Sequence, residues 1–253
     1  MNFEDYVIKF FNAAKLKAKK IPESDEKTPD FLISDEVNIL VELKEKNDST
    51  EAEGHRETAF SQNKLFEHTS ILSYRNRLSG IIGSAAAQLK AQKEKTNSDF
   101  CFVFVVMNGI SPNAQFSQFA STLYGKKNIF DANNVERSKE CYYFTHSEFY
   151  KYSDIIDGAF LVLNGYMELL INDKSPRYEA VINSKFVSRF SGCIIDPKFL
   201  AENDVIFYAD TDLSRKDEDA VKAYVFEKYG IDRGFAFDFP HYSIQSRLSL
   251  DDI

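Results

Sequence analysis

The sequence predicts an α/β fold, a central mixed β-sheet flanked by helices, with a C-terminal accessory region after it. Three observations predict it. An amphipathic helix opens the chain, with Phe3, Tyr6, Val7, Phe10, Phe11 and Ala14 recurring at three- and four-residue steps. Two short apolar runs, Phe31–Ile33 and Ile39–Leu43, flank a polar turn and read as a β-hairpin. Phe100–Met107 (FCFVFVVM) is apolar without alternation, which suits a strand buried on both faces of a helix-covered sheet. Helices mixed with strands in this order indicate a layered α/β domain.

The remaining elements follow the same rules. The first helix is expected over residues 2–19, with Asn2 as its cap, acids in its first turn and lysines in its last. Residues 45–63 are polar and read as a long loop. A helix is expected from about Leu78 to Lys95, with Leu78, Ile82, Ala85 and Leu89 on one face and Gly80 and Gly83 weakening its start. Asn113–Leu123 reads as a further helix. Strands are expected at Cys141–Thr145, Ile155–Leu163, Glu179–Ile182 and Val205–Tyr208. Ser214–Tyr229 reads as a late helix, started by Ser214 with Asp217 three residues on and ended by Gly230. A boundary is expected near residue 170, giving a core over 1–170 and an α+β accessory region over 171–253.

Composition narrows the function classes. The 253 residues are 43% hydrophobic and 28% charged, a globular balance with enough apolar residues for a sizeable core. Cys101, Cys141 and Cys193 are odd in number and lack any CxxC pair, so a disulfide framework and a cysteine zinc site are not expected. A reduced, cytoplasmic setting is. The N-terminus places acids before its apolar run and lysines after it, the reverse of a secretory signal. No apolar stretch reaches the roughly 18 residues that span a bilayer, so no membrane partner is expected.

One constellation carries chemistry. Glu42 and Lys44 are two apart on a strand and project from the same face. If Ile33 pairs with Ile39 across the hairpin, Asp30 lies opposite Glu42, and directly opposed Cβ atoms sit roughly 4.5–5.5 Å apart. A slip of one residue would send one of these side chains to the other face. Two adjacent carboxylates repel unless a cation lies between them. Mg²⁺ is a hard ion held by one or two carboxylates plus waters and substrate phosphate, and Mn²⁺ is expected to substitute. The carbonyl of Leu43 is a further candidate ligand. Lys44 would stand beside a metal-bound water, placed to orient it or to stabilise charge on a phosphate.

Thr28-Pro29-Asp30, eleven intervening residues and Glu42-Leu43-Lys44 resemble the motif of the PD-(D/E)XK nuclease superfamily, the restriction-endonuclease-like enzymes. The resemblance covers roughly residues 1–110. It implies a mixed sheet flanked by helices and a metal-dependent endonuclease acting on DNA in restriction, phage defence or DNA processing. It also implies an acidic metal ligand on the preceding helix, matched by Glu4, and a glutamine on the helix after the motif, matched by Gln88. Many such enzymes dimerise, and the C-terminal region is the expected place for a second copy or partner subunit. The long stretch from Lys46 to Leu78 departs from compact members of the superfamily.

Other signals are weaker. Arg75 and Arg77, with Lys90 and Lys93 further on, are candidate nucleic-acid contacts. Residues 61–95 hold six bases against two acids, a net of +4, while residues 196–253 hold thirteen acids to seven bases, a net of −6. The whole-chain charge of −8 therefore leaves a basic segment next to the motif, and predicts non-specific DNA binding that is weak and falls with salt. The four histidines form no HNH, HxH or HExxH pattern, and Gly80–Ser84 lacks the Lys-Ser/Thr ending of a phosphate loop. Two rival readings remain at this point: a catalytically silent nuclease-like module that binds nucleic acid or a partner protein, and a different metal-dependent phosphohydrolase.

Overall fold

The computed structural model describes residues 2–22, 28–72, 76–163, 165–237 and 242–249. The chain begins with helix α1 (Phe3–Ala13), then strands β1 (Lys17–Lys20), β2 (Phe31–Ser34) and β3 (Asn38–Lys46). Helix α2 (Thr50–Ser61), strand β4 (Phe66–Leu72) and helix α3 (Asn76–Lys93) lead to β5 (Phe100–Met107). Next come α4 (Pro112–Tyr124), β6 (Lys127–Asp131), β7 (Lys139–Tyr142), α5 (Glu148–Lys151), β8 (Gly158–Leu163) and β9 (Tyr166–Ile171). The last third holds α6 (Tyr178–Ile182), α7 (Lys185–Ser188), β10 (Ile194–Ile195), α8 (Pro197–Glu202), β11 (Phe207–Tyr208), α9 (Glu218–Tyr229), β12 (Gly234–Phe237) and β13 (Tyr242–Leu248).

The architecture is α/β, with a seven-stranded mixed sheet in the order β1-β2-β3-β5-β8-β9-β10. β1, β2 and β3 form an antiparallel meander, and β5 and β8 run parallel to β3. Phe100–Met107 is buried along its whole length, as its unbroken apolar run predicts. One face of the sheet packs on α1, α6 and α7 through Val7, Phe11, Phe31, Phe104, Phe160 and Phe186. Phenylalanine rings fill this layer, with Phe104 and Phe160 stacked at 5.6 Å between centroids. The other face packs on α3 and α4 and on a second sheet, β11-β7-β6-β12. The stripe expected on α3 is its buried face: Leu78, Ile82, Ala85 and Leu89 are all essentially inaccessible.

Several elements differ from expectation, each for a physical reason. The first helix stops at Ala13, not residue 19, because Lys15 turns the chain into the left-handed region (φ 60°) and Lys17–Lys20 pairs with β2. The lysines expected in the last helical turn are strand residues. The polar loop at 45–63 is the end of β3 followed by α2, capped by the Ser49 side chain on the Ala52 N–H. α2 buries no residue, so it has no apolar stripe to announce it. Residues 178–182 are helix rather than strand, since four apolar residues carry too little periodicity to separate the two. β7 ends at Tyr142 because Tyr143 has φ 59°. β8 starts at Gly158, and β11 spans only Phe207–Tyr208. The late helix starts at Glu218 with Asp217 as its cap on Ala220; Ser214 instead accepts from Lys216. Gly125 ends α4 with φ 62°, and a Cβ there would lie 2.0 Å from the Thr145 carbonyl oxygen.

A division at residue 170 would run through the large sheet. β10 pairs with β9 in that sheet, and Phe186, Val187 and Phe190 belong to the α1-side core. Asp157 ties the two stretches together. Its fully buried carboxylate accepts from the Cys101 N–H at 2.8 Å, the Ser175 hydroxyl at 2.6 Å and Arg177 Nε at 2.9 Å. Removing one member of such a buried charged set strands the others without solvent. Asp157→Ala is therefore expected to destabilise the protein by about 3–5 kcal/mol. Urea denaturation followed by circular dichroism checks this, and a loss below about 1 kcal/mol would show that Asp157 does not join the two stretches.

Candidate active site

The hairpin register decides the site. Ile33 pairs with Ile39 and Phe31 with Val41, the register the sequence requires. Phe31, Ile33, Ile39 and Val41 are fully buried on the α1 side, which locks that register hydrophobically. Extended by one step, it sets Asp30 across from Glu42. Glu42 and Lys44 then face α3, beside Val103 and Val105 of β5.

Four side chains converge there. Asp30 Oδ2 accepts the Leu43 N–H at 2.7 Å. Glu42 is only 1% exposed, and its Oε1 lies 2.5 Å from Lys44 Nζ. Lys44 Nζ also donates to Gln88 Oε1 at 2.9 Å. Gln88 Nε2 donates to the Thr28 carbonyl at 3.1 Å, so the helix glutamine spans from the motif lysine to the segment that delivers Asp30. Ser84, one turn earlier on α3, donates to the same Gln88 oxygen at 3.4 Å.

The electrostatics are those of a site short of positive charge. Burial pushes the Asp30 carboxyl up, against the opposing pull of the Leu43 N–H and the Lys44 charge. Burial also raises Glu42, to about 7, with the Asp30 charge adding to the effect and the Lys44 ammonium working against it. Glu42 Oε2 is buried and has no hydrogen-bond partner among the described residues. An orphaned carboxylate oxygen costs on the order of 1–3 kcal/mol or more in the absence of a partner.

This arrangement fits a hard divalent cation. Asp30 keeps Oδ1 beyond its bond to Leu43, Glu42 keeps Oε2 beyond its bond to Lys44, and the two carboxyls are close enough for the Asp30 charge to raise Glu42. Among the described residues no group of three or more His, Cys, Asp or Glu side chains could hold a metal. The protein donors the structure brings together here are the two carboxylates, and so small a set would suit Mg²⁺, which retains several waters.

The other expected residues separate into near and far. Glu4 is in the first turn of α1, and its charge reaches Asp30, but its carboxylate is held by Lys20 at 2.7 Å. Lys90 is exposed and two residues from Gln88, on the opposite side of α3. Lys93 is in the last turn, where its charge reaches Cys101 at the start of β5. The structure does not bring either lysine to the carboxylates. Arg75 lies outside the described residues, as does the side chain of Arg77. Sequence reasoning missed Lys20, Ser84 and the Thr28 carbonyl. Only the Ser84-to-Gln88 spacing of four, one helical turn, carried a signal.

No protein-family model, curated protein or solved structure matches the chain. The geometry of the site therefore carries the functional reading.

The raised Glu42 has a thermodynamic consequence. The folded protein binds this proton more tightly than the unfolded chain, whose glutamate keeps the ordinary value of 4.5. Stability is thus fully present below pH 4.5 and is lost as pH rises towards 7, by up to about 3 kcal/mol at 1.36 kcal/mol per unit. In metal-free buffer, the melting temperature is expected to fall between pH 5 and pH 8. Glu42→Gln should flatten that fall, and Mg²⁺ at pH 8 should raise the melting temperature of the wild type more than that of the variant. Equal slopes for the two proteins would contradict the assignment.

Proposed function

We propose that the protein is a Mg²⁺-dependent nuclease that hydrolyses phosphodiester bonds in DNA. The observation that supports it most is the convergence of Asp30, Glu42, Lys44 and Gln88 around a buried carboxylate oxygen that lacks a partner. The element order also accords with the PD-(D/E)XK pattern: a helix, a meander carrying the motif, and a helix that returns the glutamine to it. Restriction, phage defence or DNA processing in the cytoplasm is the setting this reading suggests, by analogy with that superfamily. No helix among the described residues is long and apolar enough to cross a membrane.

In this reading Asp30, Glu42 and the Leu43 carbonyl would hold Mg²⁺. The ion, when bound, supplies a more acidic water and offsets charge on the phosphate. Lys44 presents its ammonium to a non-bridging phosphate oxygen and stabilises the charge that develops there as the phosphorus is attacked. Glu42 and Gln88 fix the position of Lys44 Nζ from two sides, so its long side chain is ordered before substrate arrives. Gln88 is an acceptor towards Lys44, because an ammonium can only donate, and its amide nitrogen meanwhile donates to the Thr28 carbonyl. Arg75 and Arg77, in the basic segment, are the proposed contacts to DNA phosphates.

Incubation of the purified protein with plasmid, linear duplex and single-stranded DNA in Mg²⁺ tests this reading. Cleavage is expected, with a loss of about 10²–10³-fold in Asp30→Asn and Lys44→Ala at unchanged circular dichroism. Absence of cleavage of every nucleic acid in both Mg²⁺ and Mn²⁺ would overturn it in favour of a silent binding module. Turnover of mononucleotides alone would favour a different phosphohydrolase.

A further inference from the structure

A cavity of about 360 Å³ opens beside the first turn of α1, at the end of the large sheet where β5 finishes. Phe3, Tyr6, Val106, Met107, Val162 and Asn108 line it. It shares the α1 first turn with the candidate site, because Glu4, whose charge reaches Asp30, directly follows Phe3. Lys44 pairs with Val105 and Lys46 with Met107 in the parallel register. Strand spacing then sets the backbones of Met107 and Lys44 about 8 Å apart at the same end of the sheet, with the pocket on the α1 side and the Lys44 side chain on the α3 side.

The lining has a specific character. Phe3 and Tyr6 contribute aromatic rings, and both are half-buried, so each leaves part of its ring accessible. Val106, Met107 and Val162 make an apolar floor. Two polar groups stand in this setting. The Tyr6 hydroxyl makes no hydrogen bond among the described residues. The Asn108 side chain donates to Asn47 Oδ1 at 3.0 Å, which leaves its own amide oxygen as an acceptor. The volume lies within the range of about 300–1,000 Å³ typical of small-molecule pockets, and an apolar cavity with a few fixed polar groups is the usual composition of such a site.

We propose that this pocket receives one unpaired base of the strand being cut, so that the preferred substrate is single-stranded or locally unpaired nucleic acid. The assignment rests on the nuclease reading for the strand's identity. A base brings a flat π-face for the two rings and an edge of donors and acceptors for the Tyr6 hydroxyl and the Asn108 oxygen. A paired base offers neither, because its edge and both faces are already occupied in the duplex. The apolar floor carries no charge, so the strand's phosphates remain outside it.

The test uses one oligonucleotide sequence as a single strand, as a perfect duplex and as a duplex with one unpaired base, with 2-aminopurine at successive positions. Wild-type protein is expected to cut the unpaired forms in preference to the duplex and to quench 2-aminopurine at one position near the cut. Phe3→Ala, at a partly exposed position, should abolish that quenching and raise KM for the single strand about tenfold with little change in kcat. Tyr6→Phe, which keeps the ring, should retain the quenching and weaken binding less. Preference for the perfect duplex, or Phe3→Ala with unchanged quenching and KM, would overturn the proposal while leaving the nuclease reading intact. Quenching that depends on Phe3 without any cleavage would uphold the pocket and overturn the nuclease reading. Neither cleavage nor quenching would overturn both.

Discussion

The site depends on the register of one hairpin. Phe31, Ile33, Ile39 and Val41 are buried together on the α1 side, and a slip of β2 against β3 by one residue would turn two of the four to the other face. The same pairing sends Glu42 and Lys44 to the opposite face and brings Asp30 beside Glu42. A hydrophobic constraint on one side of a strand thus fixes a polar arrangement on the other. The polar side is unfavourable by itself. Two carboxylates meet where burial raises both, and one oxygen of Glu42 has no hydrogen-bond partner among the described residues. A structure that holds such groups in place does so by packing elsewhere, and strain of this kind concentrates at functional sites.

The surroundings limit what the hairpin can do. α3 approaches the motif through a buried stripe that ends at Leu89, and its neighbour Gln88 is thereby directed at Lys44. α1 approaches from the other face and delivers Glu4 with its partner Lys20 to the same end of the sheet. Charge is therefore balanced in pairs, Glu42 with Lys44 and Glu4 with Lys20, and among the described residues Asp30 has the Leu43 N–H as its hydrogen-bond donor and no ion-pair partner of its own. That leaves the site short of one positive charge.

Much of this was legible in the sequence, and the reason is local. The hairpin register follows from period-2 patterning over a few residues, and the α3 face from period-3.6 patterning over twelve. Both signals are dense because the residues concerned are buried. The parts that were not legible lack such patterning. α2 buries nothing, so no stripe marks it. β4 pairs with β13 across some 170 residues of chain, a partnership that no local pattern encodes. The turn at Lys15 depends on β1 finding the edge of β2, a tertiary gain that outweighs the helical propensity of Ala13-Ala14-Lys15. Within the site, the motif residues were readable by spacing, whereas the Lys20 partner of Glu4 and the Thr28 carbonyl depend on chain geometry alone.

The proposed function requires Asp30 and Glu42 to hold a divalent cation jointly. Anomalous diffraction from crystals equilibrated with Mn²⁺ tests it most directly. One strong peak is expected between the two carboxylates, within ligand distance of both and of the Leu43 carbonyl, and lost in Asp30→Asn. Well-ordered carboxylates with no peak between them, or a peak that persists unchanged in Asp30→Asn, would contradict it.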